Sequence, residues 1–172
     1  MYTVEEINQM TRTAFVEALG PAFEESPWVA ERAYESSPFA DRDQLVTEMI
    51  AVMHKASQEE KLALLNAHPD LGGKLAMTRA SQSEQRGAGL DHLSENEYEV
   101  FSGLNRQYVA SFGFPFIMAV KGRTKEEILT AMQERVNHGH EEEFQQALAE
   151  VGAIASFRLS EWVENNREGV SR

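Results

Sequence analysis

The sequence predicts an all-α protein, a single-domain helical bundle interrupted by irregular loops. Apolar residues recur at three- and four-residue intervals over most of the 172 residues. Capping boxes, in which Ser or Thr precedes Glu by three positions, begin three of the apolar runs, at 57–60, 94–97 and 124–127. Strand-like alternation is confined to 114–120, and no second segment could pair with it.

The helical runs follow one another in chain order. Gly20-Pro21 ends the first run as helices commonly end, and Ser26-Pro27 is typical of an N-cap followed by proline at the first helical position. Neither an internal repeat nor a low-complexity linker divides the chain, so we expect one domain over residues 1–172. The predicted runs are marked by apolar residues within 4–18, after Ser26-Pro27, and within 45–56, 62–65, 98–112, 128–136 and 144–162.

Composition excludes several function classes. Sixteen Lys and Arg against 28 Asp and Glu give a formal charge of −12, which disfavours nucleic acid or a membrane surface as a partner. The absence of cysteine excludes disulfides, a thiolate nucleophile and cysteine-based metal sites. The N-terminus lacks the regions of a signal peptide, and the longest apolar stretch, 112–120, is far shorter than the roughly 20 residues of a membrane helix. We therefore expect a soluble, cytoplasmic protein.

The first break in the helical rhythm is the segment 67–74. His68 precedes Pro69 and is thereby pushed out of helical geometry, and Gly72 and Gly73 follow. Turn chemistry alone favours an ordinary connection in which the histidine caps a helix end. The alternative is an imidazole held on a stiff support, beside backbone that can approach a ligand.

The second break is the segment 81–90. Ser81 and Glu84 have capping-box spacing, but Gly87 and Gly89 follow, and each glycine costs about 1 kcal/mol relative to alanine inside a helix. A capping box here would begin a helix that the two glycines then destabilise. The pattern therefore favours a polar site over a helix, with a short helical turn as the alternative.

The third break, which we call the aromatic segment, is 112–122. It is apolar without helical or strand periodicity and contains Gly113 and Pro115. Such a segment is most often core. It would also make a pocket wall, because backbone groups that no helix uses must pair with something, and a small polar ligand can serve.

Two weaker signals concern charged residues and histidines. His138 and His140, followed by three glutamates, raise a metal hypothesis, but a helix end and a Glu-rich helix start explain them better, so we predict no metal site. Arg158 has apolar neighbours. Either its stem lies along the bundle with its head in water, or it is buried and needs a carboxylate partner or an anionic ligand.

Taken together and in this order, these segments resemble one family. The chain is similar to the 2-oxo-4-hydroxy-4-carboxy-5-ureidoimidazoline (OHCU) decarboxylases of urate breakdown over nearly its whole length. Each motif alone is weak, whereas the ordered set is highly specific. The motifs are Ser26-Pro27-Trp28-Val29, Pro38-Phe39, Ala67 to Lys74, Ser81-x-x-Glu84-Gln85 with Gly87 to Asp91, Phe112 to Ile117 with Ala119 to Gly122, and Ile154-Ala155 with Arg158-Leu159.

The resemblance implies a cofactor-free decarboxylation of a small anionic substrate, giving (S)-allantoin and CO2, by a homodimer. It implies that His68 is the general acid, that Glu84 accepts a hydrogen bond from the substrate, and that Arg158 binds the substrate carboxylate. The other implied substrate contacts are Pro69, Ser81, Gln85 and the backbone of Phe116, Ile117, Met118, Ala119 and Val120.

Local charge and two departures qualify the resemblance. Ser111 stands where the family usually has a basic residue, and Ser156 where it often has Arg, so basic contacts near the site or a subunit interface are expected to differ. An anionic substrate must also enter an anionic protein. Arg158, with Lys74 or Lys121, is expected to favour the anion locally. On composition alone, a non-catalytic helical module is the competing interpretation.

Overall fold

The computed structural model describes residues 1–72 and 78–165, and the all-α prediction is confirmed over these ranges. Extended structure among these residues is limited to one isolated bridge between Tyr2 and Val163. Short 3₁₀ turns cover Gly20–Ala22 and Tyr34–Ser36. The α-helices are α1 (Val4–Asn8), α2 (Arg12–Leu19), α3 (Trp28–Ala33), α4 (Arg42–Lys55), α5 (Gln58–Ala67), α6 (Arg79–Gly87), α7 (Glu95–Phe112), α8 (Lys125–Arg135) and α9 (His140–Trp162).

The chain divides into two compact units. The first unit comprises 1–64 and 152–172, of which the structure describes residues up to 165, and the second comprises 65–151. Action of residues 1–172 as one functional domain stays a prediction.

The first unit begins with two helices where the sequence predicted one. The predicted run over 4–18 is wrong, because the Thr11 side chain accepts a hydrogen bond from the Ala14 N–H and so starts a new helix. This restart buries Phe15 and Leu19, whereas the alanines that marked the predicted face are only half-buried. An N-cap residue inside an apolar run can therefore divide it into two helices, even where the apolar spacing is continuous.

A second local difference lies before α3. Pro27 is the N-cap, and the predicted N-cap Ser26 instead donates its hydroxyl hydrogen bond to the Glu24 carbonyl at 2.8 Å. The predicted end at Gly20-Pro21 is confirmed by the 3₁₀ turn that follows α2. Ser26 therefore shapes the loop that carries Glu24 rather than the helix.

The second unit packs its core around the aromatic segment. Phe112, Phe114 and Phe116 are buried, and the Tyr108 ring lies 5.4 Å from the Phe116 ring at 90°. Gly113 ends α7 with φ +82°, a conformation that favours glycine. The segment is neither helix nor strand beyond Phe112, as the sequence predicted.

The capping boxes are confirmed. At Ser57, Ser94 and Thr124 the side chain accepts from the backbone N–H of the glutamate three residues later, and that glutamate accepts from the N-cap N–H. Each box pairs backbone donors that a helix start leaves without partners. The sequence-predicted starts of α5, α7 and α8 are therefore set locally.

The Gly72 position admits no side chain without strain. Its φ is +72°, and an added Cβ would lie 2.8 Å from Leu93 Cδ1. Because an L-residue in this conformation costs about 1–2 kcal/mol before any clash, we expect Gly72→Ala to lower the free energy of unfolding by at least that amount, measured by urea denaturation.

Gly87→Ala is the matched control. An added Cβ there meets nothing within 4 Å, and the residue lies in α6. We expect it to be neutral or to stabilise by up to about 1 kcal/mol. Equal effects of the two substitutions would contradict the assignment of strain to Gly72.

Candidate functional site

His68 lies in a turn that its neighbour enforces. α5 ends at Ala67, because a residue before proline is disfavoured in helical geometry. The His68 side chain is buried, with 8% of the residue exposed. Burial raises the pKa of the Asp70 carboxyl nearby. Gly73 and Lys74, which complete the predicted motif, lie outside the described residues.

Two side-chain amides hold this turn from neighbouring helices. Gln85 of α6 accepts from the Gly72 N–H at 2.9 Å and donates to the Asp70 carbonyl at 3.1 Å. Asn105 of α7 donates to the Leu71 carbonyl at 3.0 Å. Since a turn leaves its own backbone groups without helical partners, these amides replace the missing hydrogen bonds. The turn 68–72, which we call the His68 turn, is therefore tied by hydrogen bonds to α6 and α7.

The predicted polar segment 81–90 is a helix for most of its length. Thr78, not Ser81, is the N-cap of α6, and its side chain accepts from the Ser81 N–H. The expectation of a broken helix is wrong, because the helix begins earlier and Gly87 falls at its last residue, where glycine disturbs little. A polar site in this segment stays a prediction.

α6 buries a polar face. Ser81, Glu84 and Gln85 occupy positions i, i+3 and i+4, which lie on one side of a helix. Ser81 and Gln85 are buried and Glu84 is half-buried. A buried polar helix face must find hydrogen-bond partners. Gln85 finds them in the His68 turn, so the structure brings the His68 turn and the helix of Glu84 together.

The predicted substrate-contact backbone of the aromatic segment is held by two charged side chains. The Ile117 carbonyl accepts from Arg135 Nη1 at 2.8 Å, and the Ala119 N–H donates to Glu150 Oε1 at 3.3 Å. Phe116, Ile117 and Val120 are buried, whereas Met118 and Ala119 are half-buried. Lys121 is exposed at the end of this run.

Arg158 belongs to the first unit. It is 3% exposed, and its Nη2 donates to Glu24 Oε1 at 2.9 Å while Nη1 donates to the Pro21 carbonyl at 3.0 Å. The interpretation with its head in water is wrong. Because Glu24 supplies a carboxylate, burial alone no longer calls for an anionic ligand. The predicted contact with the substrate carboxylate stays a prediction that rests on the resemblance.

The two histidines of the metal hypothesis have protein partners. His138 Nδ1 lies 3.0 Å from Glu142 Oε1 and 2.9 Å from Glu143 Oε2, and His140 Nε2 lies 3.1 Å from the Phe112 carbonyl oxygen. Within residues 1–72 and 78–165, no group of three or more His, Asp or Glu side chains is arranged to hold a metal ion. The same residues contain no helix long and apolar enough to cross a bilayer.

Sequence reasoning missed three charged residues that are almost completely buried, namely Glu24, Arg135 and Glu143. Two of them carried a readable signal. Arg135 is in helical phase with the buried Ile128 and Met132, and Glu143 with Ala147 and Val151. A charged residue on the apolar face of a helix is expected to be buried when that face packs. Glu24, in a loop, carries no such signal.

The Glu24–Arg158 pair makes a testable contribution to stability. Removing one member of a buried ion pair leaves an uncompensated charge, which typically costs 3–5 kcal/mol. Both residues are at most 3% exposed, so we expect Glu24→Gln to lower the free energy of unfolding by about 3 kcal/mol, measured by urea denaturation.

Glu35→Gln is the control, since its pair with Arg12 is exposed, with side-chain exposures of 69% and 48%. We expect that change to cost less than about 1 kcal/mol. A Glu24→Gln loss no larger than the control's would contradict the importance of the buried pair.

Comparisons with known proteins agree with one another. The family model described as OHCU decarboxylase matches residues 8–160. The chain is 49% identical to the 2-oxo-4-hydroxy-4-carboxy-5-ureidoimidazoline decarboxylase of Halalkalicoccus jeotgali, covering 92% of this chain and 90% of that protein. It is 48% identical to the protein of the same name from Haloferax volcanii, covering 92% and 95%.

A longer relative and a solved structure extend the comparison. The uric acid degradation bifunctional protein of Bacillus subtilis is 42% identical, covering 98% of this chain and 34% of that protein. A crystal structure of (S)-allantoin synthase is similar with a TM-score of 0.74 and 34% identity, and the match covers 94% of this chain and 54% of the other. From these matches and the ordered motifs, the chain belongs to the OHCU decarboxylase family.

Proposed function

We propose that this protein decarboxylates OHCU to (S)-allantoin and CO2 in urate breakdown, without a cofactor, and that His68 delivers the proton that sets the configuration. The chain is a carboxy-lyase by its family. The observation that carries the finer proposal is the clamp of Gln85 on the turn after His68, because it ties the candidate acid to the helix that carries the candidate carboxylate Glu84.

The chemistry requires charge to be accepted and a proton to be supplied. When the bond from the ring carbon to the carboxylate breaks, CO2 leaves and its electron pair passes into the ring, forming an enol or enolate at the hydroxyl-bearing carbon. A proton is then added to the neighbouring carbon that bears the ureido group, which becomes the stereocentre. Each turnover therefore consumes one proton, and protonation from one face gives one enantiomer.

The side chains of His68 and Glu84 suit the two tasks of delivering a proton to the ring and accepting a hydrogen bond from the substrate. Imidazole titrates near neutral pH and can hold and deliver a proton. His68, which is 8% exposed, would deliver that proton from the turn that follows α5. Glu84 is half-buried on the polar face of α6, where its carboxylate can accept from the substrate hydroxyl or ureido N–H. Acceptance from the hydroxyl would promote enolate formation.

The remaining proposed contacts bind and orient the substrate. Backbone N–H groups within 116–120 would donate to the developing oxyanion, and Pro69, Ser81 and Gln85 would contact the ring and ureido atoms. Arg158 would bind the carboxylate. Gripping a group that departs stabilises the ground state, so this arginine is assigned to capture and orientation rather than to lowering the barrier.

Three further properties remain predictions: independence of any cofactor, a cytoplasmic location and a homodimeric assembly. A non-catalytic helical module is the alternative, and it predicts allantoin formation at the rate of buffer alone. Membership of the OHCU decarboxylase family favours the enzyme.

His68→Gln tests the proton donor. Glutamine keeps a hydrogen-bonding amide but has no titratable proton, so we expect stereoselective turnover to fall to the uncatalysed level and the product to become racemic, measured by chiral chromatography of allantoin made from fresh OHCU. His92→Gln is the control, because the His92 side chain is 85% exposed. Full stereoselective activity of His68→Gln would exclude the proposed role.

Glu84→Ala tests the carboxylate. Loss of one transition-state contact typically lowers kcat by about 10² to 10³, and we expect kcat/KM for OHCU to fall by about that factor, measured by CO2 release. Glu99→Ala removes the same charge from an exposed helical position of the second unit and is expected to leave kcat/KM unchanged within twofold. Equal effects of the two substitutions would show that only the overall charge matters.

A further inference from the structure

Arg135 links the backbone of the aromatic segment to the buried carboxylate of Glu143. At the end of α8 it is 7% exposed, its Nη1 donates to the Ile117 carbonyl at 2.8 Å, and its Nε donates to Glu143 Oε1 at 2.9 Å. The guanidinium carbon lies 4.4 Å from the centre of the Phe116 ring. A guanidinium can make these contacts together because its N–H groups diverge in one plane and its face stacks on aromatic rings.

Glu143 anchors this guanidinium. Its side chain is fully buried, and it accepts hydrogen bonds from the Tyr108 hydroxyl and from Arg135, while His138 Nδ1 lies 2.9 Å from its other oxygen. Burial, and then the hydrogen bond to Glu143, raise the pKa of Tyr108, so the phenol stays a neutral donor. We call the three buried residues Tyr108, Arg135 and Glu143 the buried charge cluster.

The contact with the Ile117 carbonyl has a geometric consequence. A peptide unit is planar and trans, so its N–H points opposite to its C=O. Holding the Ile117 carbonyl against Arg135 therefore directs the Met118 N–H away from the guanidinium. Met118 is half-buried, and within the described residues its N–H forms no hydrogen bond, whereas the Ala119 N–H already donates to Glu150.

We infer that Arg135 is a positioning residue of this enzyme: through the Ile117–Met118 peptide it aims the Met118 N–H at the oxyanion that forms on decarboxylation. The inference rests on the proposed function. It narrows the set of backbone N–H groups proposed to bind the oxyanion, because the Ala119 N–H already donates to Glu150. Arg135 need not touch the substrate. Its work, with Glu143 as its anchor, is to keep one peptide plane in a segment that has no helix or strand to hold it.

Arg135→Lys tests the inference kinetically. Lysine keeps the charge, but a compact ammonium lacks the divergent donors that reach Glu143 and Ile117 together. A donor needed mainly in the transition state affects kcat more than KM, so we expect kcat for OHCU to fall at least tenfold and KM to change less than threefold.

Tyr108→Phe is the matched control. It removes one hydrogen bond to the same Glu143 but leaves the contact between Arg135 and Ile117. We expect a lower melting temperature with kcat within twofold of the wild type. If folded Arg135→Lys keeps kcat within twofold, or if both variants lose kcat in equal proportion, the cluster is structural only and the inference fails.

Glu143→Asp replaces Arg135→Lys if that variant does not fold. It keeps both charges but shortens the side chain that anchors Arg135. We expect the same loss of kcat, and the absence of that loss overturns the inference.

The wild-type protein separates the two proposals. If it releases no CO2 from OHCU above the buffer rate, the proposed function itself fails and the inference with it. Wild-type activity with unaffected variants refutes the inference alone.

A spectroscopic measurement does not depend on turnover. In protein labelled with ¹⁵N-methionine, with the Met118 amide assigned by Met118→Leu, saturating allantoin is expected to shift the Met118 N–H resonance in the wild type and to shift it less in Arg135→Lys. An unmoved Met118 resonance alongside ligand-dependent shifts elsewhere would overturn the assignment of this amide.

Discussion

Pairing of buried charges is the constraint on which both units depend. Each unit holds a guanidinium–carboxylate pair that is almost completely withdrawn from water, Arg158 with Glu24 in the first unit and Arg135 with Glu143 in the second. An unpaired charge in such a position would be strongly destabilising, and a pair of well-packed apolar residues would often be more stable. Apolar residues in these places would supply no directed hydrogen bonds. Both guanidiniums also donate to a backbone carbonyl, of Pro21 and of Ile117 respectively.

In the second unit, the candidate site is built from irregular backbone whose polar groups are hydrogen-bonded by side chains. The His68 turn has its polar groups satisfied by the amides of Gln85 and Asn105, and the aromatic segment has its groups satisfied by Arg135 and Glu150. Regular secondary structure would satisfy most of these groups by itself, and away from helix ends it would leave few backbone donors for a ligand. Irregular backbone with specific side-chain supports allows a chosen N–H to remain available.

Apolar spacing predicted most of the helices and capping boxes predicted the starts of α5, α7 and α8, because both signals act within a few residues. They failed where two local signals competed. Thr11 interrupts an otherwise continuous apolar run, and Thr78 starts α6 three residues before the Ser81 that has capping-box spacing. The ordered motifs also identified the family and its candidate residues, although Arg135 and Glu143 were passed over despite standing in phase with apolar neighbours.

Zero cysteine, a net charge of −12, the helical class and the ordered motifs follow from the chain alone, since composition is additive and helix signals are local. The partners of buried charges do not. Glu24 is 134 residues from Arg158, and Ile117 is 18 residues from the Arg135 that holds its carbonyl. Only the tertiary structure decided these pairings, because withdrawal from water, and hence the need for a partner, exists only once distant segments pack together.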